Sequence, residues 1–222
     1  MDKNALFSWS GGKDSALALY EILRGREYEV RALFTTVTGD YDRVSMHGLR
    51  RALLEEQTDS LGLPLEKVII PRNASNEEYE SALEKLLLAY KESGVSSVIY
   101  GDIFLEEIRK YREDHLGKMG LRCVFPIWNI DSVRLARTFI EAGFKAVTVC
   151  VDSKVLDGSF AGREYDQEFL SDLPRGIDPC GENGEFHTFV YDGPIFGKRI
   201  EFDRGEIVLR DNRFYFCDLV PR

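Results

Sequence analysis

Six residues near the amino terminus, Ser10-Gly11-Gly12-Lys13-Asp14-Ser15, combine the groups that hold a polyanion. Glycines let backbone approach a ligand closely, and the free N–H groups at the start of a following helix attract negative charge. The hydroxyls of Ser10 and Ser15 can donate to phosphate oxygens, and the Lys13 ammonium can neutralise them. The spacing is not that of a Walker loop, which requires Ser or Thr directly after its Lys; here Asp14 follows. It is not GxGxxG either. A plain tight turn capped by Ser10 or Asp14 is the alternative, and two glycines alone would favour it. The complete hexapeptide between a strand and a helix favours the anion cradle.

A second concentration of reactive groups lies in Cys180 to Val190, where Glu182, Asn183, Glu185 and His187 crowd one loop and the start of an apolar strand. If Glu185 to Phe189 is extended, Glu185 and His187 share one face and Phe186 and Thr188 the other. The alternative makes Glu182 and Glu185 solvated turn carboxylates and His187 an ordinary strand residue. Asp102, after Gly101 at the carboxyl end of a strand, is placed either to orient Mg²⁺ or a ribose or to cap a helix. Arg163 follows Gly162 in a long loop, where a guanidinium can grip a pyrophosphate or an acidic substrate by two contacts. His47 either faces the ligand or starts a helix, and Arg109 and Arg112 read as part of a solvated helix face. Cys180 has no neighbouring Cys to resolve it, which weakens a nucleophilic or sulfur-carrying role.

The elements that carry these residues follow from periodicity. Asn4–Trp9 predicts a strand, and Ser15–Leu23 a helix after the glycine turn. Strands are expected over Val30–Val37, Leu65–Ile70, Ser97–Tyr100, Leu121–Phe125 and Ala146–Val151. Helices are expected over Gly48–Leu61, Asn76–Lys91, Phe104–Met119 and Ser132–Ala142. This alternation predicts a parallel sheet covered on both faces, in which runs such as Val147–Val151 are buried on both sides. From Asp152 to Glu185 the chain is rich in Gly and Pro, with one short helix near Glu164–Leu173. Strands at Phe186–Tyr191, Lys198–Phe202, Ile207–Leu209 and Phe214–Val220 follow, with turns at Asp192-Gly193, Arg204-Gly205 and Asp211-Asn212. The expected division is an α/β domain over 1–151 and a smaller α+β portion over 152–222 ending in antiparallel strands. That tail is a dimer surface, a lid or plain capping structure, and composition does not choose among them.

With 222 residues, 44% of them apolar, the chain can bury a core without staples, which excludes disorder as its main state. Its 29 basic and 38 acidic residues leave a net charge of -9, which argues against a broad nucleic-acid surface. The four cysteines are dispersed with no CxxC pair, so no structural metal site is expected, and reduced thiols fit a cytoplasmic setting. The opening residues lack a signal-peptide pattern, and no window is apolar enough to span a membrane.

The loop has the form SGGxDS, and in this position it resembles the signature of the PP-loop, or N-type, ATP pyrophosphatase superfamily. Gly101-Asp102, Pro126-Ile127-Trp128, Leu156-Asp157, Gly162-Arg163 and Gly181-Glu182-Asn183-Gly184-Glu185-Phe186 resemble the diphthine-ammonia ligase family over nearly the whole chain. The resemblance implies a Rossmann-like adenine nucleotide alpha hydrolase (HUP-like) domain and an enzyme using ATP and Mg²⁺. Such an enzyme cleaves ATP between the α and β phosphates, adenylates a carboxylate and forms an amide with ammonium, acting on a free or protein-bound acid. It also implies nucleotide contacts at Ser10, Gly11, Gly12, Lys13, Asp14, Ser15, Gly101, Asp102 and Arg163, with Lys13, Asp14, Glu182, Glu185 and His187 serving the chemistry. Glu and His groups with shifted pKa values suit the deprotonation of ammonium beside an acyl adenylate shielded from water. The family pattern Gly-Glu-Gly-Gly-Glu-Phe/Tyr-Glu-Thr is broken here at Asn183 and His187. The version in this chain is similar to a mostly bacterial subgroup for which amide chemistry in cobalamin salvage has been suggested. With no Cys at the amino terminus and no glutaminase-sized extension, free ammonium is the simpler nitrogen source. A thiolating enzyme acting on tRNA is disfavoured by charge and cysteine spacing; a sensor that binds ATP or AMP without turnover is the reading from another class.

Overall fold

The computed structural model describes residues 3–39, 43–44, 49–71 and 74–222. Chain order begins with β1 (Lys3–Ser8), α1 (Lys13–Gly25), β2 (Tyr28–Thr38), β3 (Arg43–Val44), α2 (Arg51–Leu61), β4 (Leu65–Ile70) and α3 (Asn76–Glu92). It continues through β5 (Ser97–Ile99), α4 (Glu106–Lys118), β6 (Arg122–Val124), α5 (Ser132–Glu141), β7 (Lys145–Asp152) and α6 (Gln167–Asp172). The last strands are β8 (Phe186–Asp192), β9 (Phe202–Arg210) and β10 (Phe214–Pro221). No helix among the described residues is long and apolar enough to cross a membrane.

Five strands pair in parallel in the order β4-β2-β1-β5-β6, and β3 adds a short antiparallel pairing at the end of β2. Alternation along β1 sends Ala5 and Phe7 into one apolar cluster and Leu6 into the other, so helices cover both faces. Strand order reverses between β1 and β5, and in such sheets ligands bind beyond the carboxyl ends at that reversal. The loops that follow β1 and β5 meet there. A Cβ on Gly101 would lie 3.0 Å from the Asp14 carbonyl carbon and from the Ser15 nitrogen, so only glycine lets the second loop rest on the first turn of α1.

The second sheet is antiparallel, in the order β8-β7-β10-β9. This corrects one expectation: β7 does not close the parallel sheet but lies at the centre of the antiparallel one. A continuous apolar run reports burial on both sides, which a central strand of either sheet satisfies. The tail differs too. Residues 193–201 form turns docked on α2, with the Lys198 N–H donating to Ser60 Oγ at 2.9 Å, and the strand expected from Lys198 begins only at Phe202. Arg204-Gly205 is not a turn but a bulge inside β9, where the register slips opposite Asp218. Asp211 and Asn212 do turn the chain, both with positive φ as a primed hairpin requires. The helix expected from Gly48 begins at Arg51; Gly48 itself lies outside the described residues.

The two sheets share one core, in which Phe7, Trp9 and Leu53 join Val147, Phe186, Phe189 and Val190. Gln57 of α2 is fully buried at this seam. Its Nε2 donates to the carbonyls of Gly11 at 3.0 Å and Val190 at 2.5 Å, and its Oε1 accepts from Trp9 Nε1 at 3.1 Å. The Val190 N–H completes the join by donating to the Gly11 carbonyl at 2.9 Å. Replacing Gln57 by Leu removes the partners of Trp9 Nε1 and the Val190 carbonyl in a dry setting. Urea unfolding of Q57L should show a loss of about 3 kcal/mol; a loss within experimental error would mean the seam does not depend on this amide.

Candidate active site

The glycine loop turns sharply because Gly11 sits at φ +79°, where a side chain would meet Gln57 Oε1 at 2.8 Å. Gly12 is the N-cap of α1 and has no side chain of its own to cap that helix end. The Lys13 N–H is engaged from across the seam by Thr188 Oγ1 of β8, at 3.1 Å. Behind the loop, Ser15 Oγ donates to the Gly12 carbonyl at 2.9 Å and lies 3.0 Å from Ser10 Oγ, which itself accepts from the Gly12 N–H at 3.2 Å. The loop is therefore preorganised, with a helix N-terminus directed outward.

That N-terminus opens on a cavity of about 480 Å³ lined by Ser10, Gly12, Lys13, Asp14, Leu105, Gly181, Glu182, Asn183, Gly184, Phe186, His187 and Thr188. The size suits a small organic ligand. The two sequence constellations, far apart along the chain, thus form opposite walls of one space.

Lys13 departs from the expectation that its ammonium stands free in the cradle. The side chain is buried, and Nζ donates to the Asp14 carboxylate at 3.0 and 2.8 Å and to the Cys180 carbonyl. It also lies 5.7 Å from the centre of the Tyr165 ring and 5.4 Å from that of Phe186. Burial penalises the ammonium, but the Asp14 carboxylate outweighs it and holds Lys13 above its ordinary pKa. The same burial pushes the Asp14 carboxyl above its ordinary range, so the pair keeps its charges against a desolvation cost on both partners.

Glu182 is the perturbed group of the opposite wall. Its Oε1 accepts from the Ile103 N–H at 2.9 Å, and its own N–H donates to Asp178 Oδ2 at 2.8 Å. Burial raises its carboxyl pKa to about 7, with Asp14 and Asp102 adding to the rise against the opposing Ile103 hydrogen bond and Lys13 charge. A carboxyl poised there can exchange a proton at neutral pH. Glu185 is placed differently from the expectation that it shares a wall with His187. Strand β8 starts only at Phe186, and Glu185 is buried behind the loop. Its oxygens accept from the Asp178 N–H at 3.2 Å, the Asn183 N–H at 3.0 Å and Asn183 Nδ2 at 3.0 Å. His187 does line the cavity.

Gly11 and Ser15 lie behind the loop, and Gly101, Asp102 and Arg163 also stand outside the cavity lining. Gly101 provides the close approach to α1 described above. Asp102 is clamped by Arg112, whose Nε lies 2.7 Å from Oδ2 and whose guanidinium sits 4.0 Å over the Tyr100 ring. Arg163 donates to Asp172 at 2.7 Å and stacks on Phe160 and Phe169, bracing its own loop. His47 lies outside the described residues. The Cys180 thiol is buried, which raises its pKa, and it donates to the Ser132 carbonyl. Sequence reasoning missed Gln57, Thr188, Asp178 and Tyr165, whose hydroxyl donates to the Pro179 carbonyl at 2.7 Å. Only Gln57 left a signal, as an amide on the apolar face of α2 beside Leu53 and Leu54.

Residues 2–123 match a model described as the diphthamide synthase N-terminal domain, and residues 131–218 match its C-terminal counterpart. The chain is 29% identical over 138 residues to the Homo sapiens diphthine–ammonia ligase, an alignment covering 60% of this chain and 52% of that protein. It is 26% identical over 225 residues to the Danio rerio diphthine–ammonia ligase, covering 91% and 88%. The matched stretch spans about half the length of the human and bovine relatives.

The Glu182 environment carries a signed pH dependence. A carboxyl that titrates at about 7 when folded and at an ordinary 4.5 when unfolded binds its proton more tightly in the native state. Its contribution to stability is complete below pH 4.5 and disappears as pH rises through about 7. Urea denaturation across this range should show a decline that is flattened in E182Q; an identical decline in both proteins would assign the titration elsewhere.

Proposed function

The chain belongs to the diphthamide synthase family, whose two domain models match nearly its whole length, and from that membership we propose that it is an ATP-dependent, AMP-forming carbon–nitrogen ligase. In this reading it adenylates a substrate carboxylate with release of pyrophosphate, and ammonia then displaces AMP to leave an amide. The carrying observation is that the α1 N-terminus, the buried Lys13 ammonium and a carboxyl raised to about 7 line one cavity.

The phosphates of ATP lie over Ser10 to Ser15, where the α1 N-terminus and Lys13 offset their charge. The Asp14 carboxylate is a hard donor of the kind Mg²⁺ selects, and that ion would supply charge neutralisation on the phosphates when bound. Ammonium loses one proton to solvent before it attacks as ammonia, and Glu182 accepts the second proton, released as that nitrogen becomes the amide and AMP departs. Glu185 and Asp178 hold the loop that presents Glu182, Asn183 and His187, and Leu105 and Phe186 exclude water from the acyl adenylate. Arg163 and Asp102 are held by Asp172 and Arg112, beside the structure that would frame the nucleotide.

The relatives' name points to diphthine as the acid. A second reading, a cobalamin-pathway or other free acid, gains support from the position of Asn183 and His187. Both residues that break the family pattern line the cavity, where an acyl group would sit.

The test incubates the protein with ATP, Mg²⁺ and ammonium, offers diphthine-bearing elongation factor 2 and a panel of free acids in turn, and quantifies AMP, pyrophosphate and amide. AMP formation dependent on one acid is expected, and tight ATP binding with no turnover on any acid would support a sensor instead. D14N should lower AMP formation by about 100-fold with the fold intact. E182Q should lower amide formation more than ATP affinity and remove a rising limb near pH 7 from the rate profile; equal loss of both would count against Glu182 as the proton acceptor.

A further inference from the structure

The antiparallel sheet has two edges, and the chain treats them differently. Along β8, the outward groups of Val190 are taken by Gly11 and Gln57. Along β9, no backbone group from Asp203 to Leu209 bonds outside the ladder with β10 among the described residues. An open edge of this kind is a template for another strand.

Three features say which strand fits. Between the bulge at Gly205 and the turn at Asp211, the run Glu206–Arg210 contains neither Pro nor Lys, the residues that ordinarily blunt an edge. Ile207 and Leu209 are 49% and 46% exposed on one face of that run. The charges are also unequal in use. Asp203 pairs with Arg222, and Arg204 pairs with Glu164. Glu206 and Arg210 form no ion pair among the described residues, although the Arg210 guanidinium lies 5.6 Å over the Phe216 ring.

We propose that β9 pairs antiparallel with β9 of a second copy of the chain about a two-fold axis at Val208, producing one continuous eight-stranded sheet. This register sets Val208 opposite itself, Ile207 opposite Leu209 and Glu206 opposite Arg210, each cross pair occurring twice. Moving the two-fold axis by one residue, to Ile207 or Leu209, separates these charges, since Glu206 then faces Val208 or Asn212. The hairpin turn and the bulge limit the ladder at its two ends.

Sedimentation equilibrium of the full chain should give the mass of two copies at micromolar concentration. E206R and R210E should each weaken dimerisation by about tenfold or more, because each places like charges opposite one another. The double variant E206R/R210E restores opposite charges and should restore the dimer. Amide hydrogen exchange across Glu206–Arg210 should slow as wild-type concentration rises, a readout that needs no variant. A wild-type chain that stays monomeric, a dimer indifferent to the single changes, or a double variant no better than either single would each overturn the proposal.

Discussion

The carboxamide of Gln57 sets the relation between the two halves of the site. An amide has donors and an acceptor in one plane, and here all are engaged by groups of different origin: the glycine loop, its leading Trp9 and strand β8. The geometry that satisfies these bonds also fixes where Thr188 meets the Lys13 N–H and where the loop of Glu182 faces the α1 N-terminus. A buried polar group left without its partner is costly, so this arrangement resists small displacements of one sheet against the other.

Much of the first wall was legible in the sequence because its determinants are local. Glycines at a strand-to-helix junction, a helical repeat and a Ser before it are read within about fifteen residues, and the observed α1 and β1 follow them closely. The second wall was legible as a concentration of reactive groups, and its meeting with the first required the resemblance to a known family. What stayed hidden depends on distant pairing. Whether β7 joins a parallel or an antiparallel sheet is decided by its neighbours β8 and β10, and its own apolar run is the same in either case. Glu185 was assigned a strand geometry that begins one residue later, and that single step turns its carboxylate from the cavity into the loop's interior.

The loop from Asp178 to Glu185 illustrates how carboxylates of one type acquire different work. Glu185 accepts three hydrogen bonds from its own loop, whereas Glu182 accepts one backbone N–H and lies near Asp14 and Asp102, which oppose its ionisation. Environment rather than residue type separates the brace from the carboxyl raised to about 7.

The position of Lys13 beneath the loop bears on how the cavity behaves in different solvents. Mobile ions screen charges on a protein surface within a Debye length of about 8 Å in physiological salt, but they do not enter a packed interior. A cation held between Tyr165 and Phe186 keeps its field when the buffer changes. The Asp14 carboxylate at 2.8 Å cancels much of that field at a distance, so in a chain whose net charge is -9 the pair presents a short-range dipole of fixed direction to the cavity. That local polarity is less open to screening by ionic strength than a surface lysine's charge.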